Sequence, residues 1–325
     1  MENKMIKKQQ INYKKRKNLI FYCCLLLLPL THFCIFYIYI NANAILMAFK
    51  EHLSVLTGEG GFRFLKINNF FTNFKEVIQT FFGTEAQRDI AVRNVLSNSF
   101  KAFGMQLLVA LPLGILFAYY DFKKCIFHGA FKVFLFLPSI ISSVVMCLIF
   151  RYLSTDVYIF IAKSVFNANV KSGLLYNSST VFPTLLGYQL WVGFGTTILL
   201  FSGAMSGINE SVIEAGRIDG ATSMREFIHI VFPLTFPTLI VFITLQIANL
   251  FTNQLNIYSF FGGSNADSEI YTMGYYMYHE TIVARTNSGA NYPYLSALGL
   301  MITMIIAPIT ITVNYLLKKY GPSVD

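Results

Sequence analysis

The stretch VIEAGRIDGATSMREFIHIVFP, residues 212–233, decides the fold of this 325-residue chain. It is rich in charged side chains, although 55% of the whole chain is hydrophobic. Ile213 and Ile218 mix with the charged Glu214 at a spacing that suits a short amphipathic helix. Gly220 is predicted to end that helix, because glycine readily adopts a positive φ. The first half of the stretch therefore predicts a surface helix with a glycine stop.

The second half of the stretch predicts another helix. Ser223 and Glu226 have the spacing of a capping box, so this helix is expected to begin at Ser223. Pro233 and Pro237 are expected to mark its end and the entry to a following apolar segment, since proline disfavours helical conformation in the residue before it. Residues 212–233 are therefore predicted to form a helix–turn–helix, called the elbow below.

The rest of the chain has the composition of a polytopic membrane protein. Its mean hydropathy is +0.54 and 13% of its residues are charged, whereas a soluble domain of this length would need a more polar surface. The five cysteines lack the CxxC spacing of a zinc site, so no metal site is predicted. Six apolar windows reach the length of about 20 residues that crosses a bilayer: Leu19–Ile40, Asn94–Tyr119, Val133–Phe150, Phe182–Met205, Pro237–Phe260 and Pro293–Leu317.

The distribution of basic residues predicts the orientation of these spans. Seven of the 25 Lys and Arg lie in the first 17 residues, immediately before the first window, which favours a cytoplasmic N-terminus. Six spans then place the C-terminus and the elbow in the cytoplasm as well. This placement explains the net charge of +9 through membrane topology and lipid, without nucleic acid as a partner. The predicted segments are a basic cytoplasmic N-terminus (1–18), a first transmembrane helix (19–40), an extracytoplasmic segment (41–93), a five-helix core (94–317) with the elbow in loop 207–236, and a cytoplasmic C-terminus (318–325).

The elbow resembles the cytoplasmic signature of the membrane permeases of binding-protein-dependent ABC importers. That signature is Glu-Ala-Ala, three residues, Gly, nine residues, Ile, one residue, Leu-Pro. Here Glu214-Ala215-Gly216, Gly220 and Ile230-Val231-Phe232-Pro233 keep its spacing, with Gly216 replacing the second Ala and Phe232 replacing Leu. The run Ile218-Asp219-Gly220-Ala221 is similar to the sugar-importing branch, the maltose and glycerol-phosphate type. Similarity continues at Arg93-Asn94, Leu137-Pro138 and Trp191-Val192-Gly193-Phe194.

The resemblance implies an all-α permease of the type I importer kind, with six transmembrane helices and a coupling helix that docks on an ATPase subunit. It implies as partners a second homologous permease, two ATPase subunits that bind ATP and Mg²⁺, and an extracytoplasmic solute-binding protein, with no cofactor in this chain. The alternative for the elbow is an interfacial amphipathic helix that lies on the membrane surface and binds no ATPase. The residues that the resemblance assigns to ATPase coupling are Glu214, Ala215, Gly216, Asp219, Gly220, Ala221, Ile230 and Pro233.

Four amides in the fifth window suggest a path for solute. Gln246, Asn249, Asn253 and Asn256 have the spacing that places them on one face of an α-helix. Such a stripe should face protein or water, because amides facing lipid are costly. Amides both donate and accept hydrogen bonds, as recognition of sugar hydroxyls requires. A hydrated translocation path is predicted, and hydrogen bonding along a seam between helices is the alternative.

Polar and aromatic residues at the outer ends of two other windows leave alternatives open. Tyr188, Gln189 and Trp191 begin the fourth window and could stack on a sugar ring, or anchor the helix at the membrane interface. Lys101, in the second window, could attract an acidic sugar or extend to the interface. The first three residues are kept as candidates for the substrate path.

The chain is therefore predicted to be a permease subunit of an ATP-driven importer in a bacterial plasma membrane, translocating a carbohydrate, with an oligosaccharide favoured. It lacks the GxxxxGK[ST] phosphate loop, so separate subunits must hydrolyse ATP. It also lacks the GxSxG and HExxH motifs, so it is predicted not to be an enzyme. The alternatives are a permease of the same type for a non-sugar solute, and a membrane enzyme or sensor of lipid-linked saccharides.

Overall fold

The structure is a computed structural model, and it describes residues 18–19, 21–53, 61–66, 69–83, 94–168, 170–262, 266–282 and 291–322. Its elements are α1 (Phe21–Met47), β1 (Lys50–Leu53), β2 (Gly61–Phe64), α2 (Thr72–Phe82), α3 (Val95–Phe122), α4 (His128–Ile140), α5 (Ser143–Ser164), α6 (Ser178–Ser206), α7 (Glu210–Ile218), α8 (Ser223–Ala248), α9 (Ile257–Phe261), α10 (Met273–Ile282) and α11 (Tyr292–Tyr320).

Six of these helices, α1, α3, α5, α6, α8 and α11, are long and apolar enough to cross a membrane. The predicted number of spans and the all-α class are therefore confirmed. Helices α3, α6 and α11 coincide with their predicted windows within a few residues. Helix α1 differs because it continues past Ile40 to Met47, and its residues are largely exposed.

The third predicted window, Val133–Phe150, is not one helix. Helix α4 ends at Ile140, and Ile141 and Ser142 are extended, with ψ of 144° and 133°. Helix α5 begins at Ser143 and forms the span instead. Pro138 removes one helical hydrogen bond just before the break, and consecutive serines are typical of a helix start. Hydropathy averaged over the window does not register this local break.

The fifth predicted window, Pro237–Phe260, is wrong at both ends. Helix α8 begins at Ser223, runs through both Pro233 and Pro237, and ends at Ala248. The prediction that these prolines end the elbow helix is therefore wrong as well. A π-helical turn at Phe227–Val231 precedes Pro233. Because proline has no backbone N–H to donate, the helix accommodates Pro233 through the altered hydrogen-bond pattern of this turn.

The chain divides into two compact units, and the first comprises Met1–Val77 with Asn291–Leu300. Within it, β1 and β2 form an antiparallel hairpin in which Lys50 pairs with Phe64. The side-chain amide of Asn73, at the start of α2, is buried and donates to the carbonyls of Ala48 (2.7 Å) and Lys50 (2.9 Å). The described part of the predicted segment 41–93 is therefore ordered by strands and a helix.

The second unit, Ile78–Ala290 with Met301–Asp325, contains the main core. Helix α6 packs closely on α4, because a Cβ on Gly195 would lie 2.5 Å from the carbonyl oxygen of Leu135. The core joins α3, α6, α7 and α8, so the elbow is part of the bundle. Its buried members are Leu111, Ile115, Ala118, Phe201, Met205, Ile213, Val231, Leu239 and Phe242.

Candidate functional site

The first helix of the elbow, α7, has the predicted local structure. Its N-cap is Asn209, whose side chain accepts a hydrogen bond from the backbone N–H of Ser211 at 3.1 Å. The chain turns at Gly220, which has a φ of +78°. Both the short helix and the positive φ of this glycine are confirmed.

The second elbow helix begins at Ser223, but its cap is Thr222. The Thr222 hydroxyl accepts from the backbone N–H of Arg225 at 3.4 Å, one position before the predicted capping box. Glu226 is consequently free of any capping role. Its side chain points into the protein and is 1% exposed. The predicted cap at Ser223 is therefore wrong by one residue, and Glu226 acquires a different set of partners.

Glu226 is the centre of an ion cluster that ties the elbow to the end of α3. Lys123 Nζ donates to both carboxylate oxygens, at 3.0 and 2.9 Å, and Arg217 Nε lies 3.7 Å away. The hydroxyl of Tyr119 donates to the Ser223 carbonyl at 2.8 Å and lies 3.3 Å from the Glu226 carboxylate. We call Glu226, Lys123, Arg217 and Tyr119 the elbow ion cluster. It connects α3, α7 and α8.

A second buried carboxylate lies two residues from Tyr119. Asp121 pairs with Lys132 Nζ at 2.8 Å and His128 Nδ1 at 3.2 Å, and the Ser202 hydroxyl also donates to it. These contacts join α3, α4 and α6. Asp121 falls inside the span Val95–Phe122. The predicted window stopped two residues too early to include it.

Helix α7 has one face in the core and the other exposed. Ile213 is 4% exposed, and a Cβ on Gly216 would overlap the Cδ1 of Ile230, so the two segments of the elbow touch at this glycine. Ile218 is 86% exposed. Among the remaining predicted coupling residues, Glu214, Ala215, Asp219 and Gly220 are exposed, and Ala221 and Pro233 are half-buried.

A cavity of about 550 Å³ lies in the second unit between α3, α6 and the end of α8. Its volume is within the range of about 300–1,000 Å³ that is typical of ligand sites. We call it the amide cavity. Its lining residues are Ala102, Phe103, Gln106, Tyr188, Gln189, Val192, Gly193, Thr196, Gln246, Asn249, Leu250, Thr252, Asn253, Gln254, Leu255 and Asn256.

The four predicted amides all line this cavity, although they do not share a helix face. Only Gln246 is helical, because α8 ends at Ala248 and the chain then turns. The Asn253 side chain accepts from the backbone N–H of Leu255 at 3.0 Å, and Asn256 has a φ of +53°. Such side-chain to backbone bonds and left-handed conformations are typical of Asn, which is why this segment leaves the helix. The four amides do line one cavity, but the prediction that they share one helix face is wrong, and their role in a solute path stays a prediction.

The three candidates Tyr188, Gln189 and Trp191 lie in the first half of α6 and have different surroundings. Tyr188 and Gln189 line the amide cavity, and the Tyr188 hydroxyl accepts from the Cys147 thiol at 3.2 Å. The side-chain carbonyl oxygen of Gln189, Oε1, is buried and has no hydrogen-bond partner among the described residues. Trp191 is not a lining residue; its ring centroid lies 6.0 Å from that of Phe150. The structure therefore places Trp191 in a packing contact instead of the cavity.

The amide cavity also contains residues that the sequence analysis did not select. Gln106 of α3 is buried and contributes an amide opposite Gly193, whose Cβ would be in ordinary contact with it. Thr196, Thr252 and Gln254 add further polar groups. Among the described residues, none that lines this cavity carries a charge at neutral pH. The arrangement offers hydrogen-bond donors and acceptors without a fixed charge.

Comparison with known proteins identifies the family. The family described as "Binding-protein-dependent transport system inner membrane component" matches residues 110–325, which include the elbow and every lining residue of the amide cavity except Ala102, Phe103 and Gln106. The chain belongs to this family. Its members are transport permeases, so the prediction of a transport subunit, and not of an enzyme, is confirmed. With its six apolar helices, this permease is a multi-pass protein of a bacterial plasma membrane.

Curated relatives extend over almost the whole permease. It is 25% identical to the arabinooligosaccharides transport system permease protein AraP of Bacillus subtilis, over 86% of this chain and 82% of that protein. It is 24% identical to the polygalacturonan/rhamnogalacturonan transport system permease protein YteP of the same species, over 95% and 93%. The relatives named for a substrate thus include permeases for saccharides.

Solved structures share the fold. A chain of a bacterial ABC transporter involved in the import of the acidic polysaccharide alginate superposes with a TM-score of 0.71, at 19% identity, over 95% of this chain and 98% of that chain. The alginate transporter in complex with an alginate pentasaccharide-bound periplasmic protein gives 0.69, over 94% and 96%. The predicted importer-permease fold is therefore confirmed.

Proposed function

We propose that this permease is one membrane subunit of an ATP-driven importer that takes up an oligosaccharide delivered by an extracytoplasmic binding protein. The amide cavity is the observation that carries the proposal. Its amide and hydroxyl side chains can donate and accept hydrogen bonds, as binding of sugar hydroxyls requires. Relatives named for saccharide transport, matched over most of their length, support the same substrate class.

The elbow is proposed to couple the permease to an ATPase subunit in the cytoplasm. Its exposed face, with Glu214, Ala215, Asp219 and Gly220, is free to seat in a groove of that subunit. Its other face is fixed to the bundle through Ile213 and the elbow ion cluster. A displacement of the docked face would therefore move α3 and α8 together. Gly216, Ala221, Ile230 and Pro233 are proposed to support this docked face, since Gly216 contacts Ile230 and accepts a backbone hydrogen bond from Ala221.

This arrangement implies the rest of the assembly and its orientation. The partners are a second homologous permease, two ATPase subunits that bind ATP and Mg²⁺, and the binding protein. The elbow and both termini face the cytoplasm, and the segment 41–93 lies outside, as the N-terminal cluster of basic residues favours. The residues proposed to line the solute path are Gln246, Asn249, Asn253, Asn256, Tyr188 and Gln189, with Gln106 added.

Purification from the native membrane in mild detergent tests the proposal. Mass spectrometry should find a homologous permease and an ATPase with this chain, and neutral oligosaccharides presented with the binding protein should stimulate ATP hydrolysis. The Glu214→Arg variant should lose the ATPase during purification. The matched variant Ser211→Arg, which changes an exposed residue near the N-terminus of α7, should retain it. A chain that purifies alone, or hydrolysis that responds only to non-sugar solutes, would contradict the proposal.

A further inference from the structure

The relatives and neighbours of this permease carry names that include arabinooligosaccharides and the acidic polysaccharide alginate, so they leave the charge of the solute open. From the amide cavity we infer that this permease passes uncharged saccharides and rejects those that carry carboxylates. The inference rests on the proposed function and makes its substrate class narrower. Three features of the described residues carry it.

The first feature is the absence of compensating charge. The described lining of the amide cavity consists of neutral amides, hydroxyls and apolar groups. A carboxylate that leaves water is compensated fully by a cation, whereas neutral amide donors offset its lost hydration only in part. A sugar hydroxyl has a much smaller cost and exchanges its water for amide partners. The cavity therefore favours neutral solutes by its composition.

The second feature is the position of the cations on the flanking helices. Lys101, next to the lining residue Ala102, is exposed, and its Nζ lies 5.7 Å from the ring centroid of Phe182. Arg151 of α5 donates to the Tyr176 hydroxyl at 2.7 Å and lines two other cavities, of about 340 and 600 Å³. Neither cation belongs to the amide cavity. The expectation that Lys101 attracts an acidic sugar to this site therefore has no support in its position.

The third feature is an acceptor that needs a donor. The side-chain carbonyl oxygen of Gln189, a residue that lines the cavity, is buried and has no hydrogen-bond partner among the described residues. A hydroxyl donates a hydrogen bond, whereas an ionised carboxylate only accepts. A solute hydroxyl that reaches this oxygen would supply the missing donor, and an ionised carboxylate would not.

Thiol labelling in the assembled importer tests the inference without depending on what its binding protein selects. The exposed cysteines Cys23, Cys24 and Cys34 and the half-buried Cys125 are replaced by serine, and the buried Cys147 remains. Thr196→Cys then places a thiol in the amide cavity. Neutral glycosyl and anionic sulfonate methanethiosulfonates are compared, each rate being corrected for its reaction with free cysteine and for the parent without Thr196→Cys.

The neutral reagent should modify Thr196→Cys about tenfold faster than the anionic reagent, because the cavity offers the anion no compensating charge. Ser172→Cys is the matched control, since Ser172 lines the 600 Å³ cavity with Arg151, Lys171 and Asp156, whose net positive charge should let the anionic reagent react at least as fast. Equal corrected rates at Thr196→Cys would overturn the inference. So would a failure of both reagents to react there, because the cavity would then not admit solute.

A charge placed in the cavity should reverse the preference. Added to Thr196→Cys, Asn249→Lys should accelerate the anionic reagent about tenfold, and the uncharged Asn249→Gln should not. If the two changes act alike, the inference is wrong. These rates are independent of ATP hydrolysis. An importer that no oligosaccharide stimulates would therefore contradict the proposed function, whereas equal labelling rates would contradict only the charge selectivity.

Discussion

The elbow end of the bundle and the amide cavity are both polar, but they are polar in different ways. At the elbow, the Glu226 carboxylate is 1% exposed and held by Lys123, Arg217 and Tyr119. In the cavity, the described lining has no charged side chain, and the Gln189 carbonyl oxygen lacks a partner. One region has its hydrogen-bonding capacity committed to other helices, and the other keeps part of it available.

The difference follows from what each region must do. Breaking a buried ion pair leaves an uncompensated charge, so the helices that share it move as a body. Neutral amides exchange one partner for another at little cost, which allows a solute to replace water and then leave. The comparison therefore predicts that changes in the elbow ion cluster reduce both the stability of the permease and its coupling to ATP hydrolysis. Changes in the cavity are expected to reduce import without reducing stability.

The largest effect is expected at Glu226. Glu226→Ala removes the buried carboxylate with its hydrogen bonds from Lys123 and Tyr119, and the loss of hydrogen bonds to a charged group costs about 2–3 kcal/mol. We expect a clear drop in the thermal unfolding midpoint of the importer in detergent, together with loss of stimulated ATP hydrolysis. Glu214→Ala, on the exposed face of the same elbow, should unfold within about 0.5 kcal/mol of the unmodified protein. Equal midpoints for both variants would remove the ion cluster from the account.

A smaller loss is expected at Gly220. A Cβ there would meet no atom within 4 Å, so Gly220→Ala costs only the strain of a φ of +78°, about 1–2 kcal/mol. Gly220→Asn should cost less, because Asn tolerates the left-handed region better than other residues with a Cβ. Unfolding midpoints of the two variants test this order. An alanine variant as stable as the asparagine variant would contradict the strain at this turn.

The opposite sign is expected in the cavity. Gln189→Leu removes a buried acceptor without a partner, so stability should rise, by about 1 kcal/mol. Import in proteoliposomes should fall, because the Gln189 side chain is proposed to line the solute path. Gln189→Asn, which keeps an amide on a shorter side chain, should retain more import. Leucine at this position with lower stability, or with unchanged import, would show that the amide is structural.

The smallest effect is expected where the two elbow helices touch. Gly216→Ala gains helix propensity of about 1 kcal/mol but places its Cβ against the Cδ1 of Ile230. Ile230→Val removes that methyl group. In the Ile230→Val background, Gly216→Ala should therefore stabilise the protein by about 1 kcal/mol, whereas in the unmodified background its gain is cancelled. A double-mutant cycle of unfolding free energies measures the coupling, and additive changes would contradict the contact.

The elbow could be predicted from the sequence because its signals are local. The helix α7, the turn at Gly220 and the start of α8 near Ser223 depend on residues a few positions apart. The ion pair of Lys123 with Glu226 could not be predicted, since the two are 103 positions apart and meet only in the folded bundle.

The four amides that line the cavity were selected from the sequence, but the prediction that they share one helix face was wrong. Gln246, Asn249, Asn253 and Asn256 do converge, but three of them lie after the end of α8. Asn side chains form hydrogen bonds with the nearby backbone and so compete with the helix. A prediction from the spacing of polar residues does not include this competition. Trp191 was selected for its chemistry alone, and its packing against Phe150 depends on a helix break that hydropathy does not register.

The central claim is that the elbow transmits force and the cavity carries solute, and the ratio of saccharide imported to ATP hydrolysed tests it most directly. In proteoliposomes of the complete importer, Gln246→Leu, a lining change on α8, should keep hydrolysis stimulated by the loaded binding protein while import falls, so the ratio drops. Glu214→Arg should abolish stimulated hydrolysis and import together. A normal ratio in Gln246→Leu, or normal import in Glu214→Arg, would contradict the account.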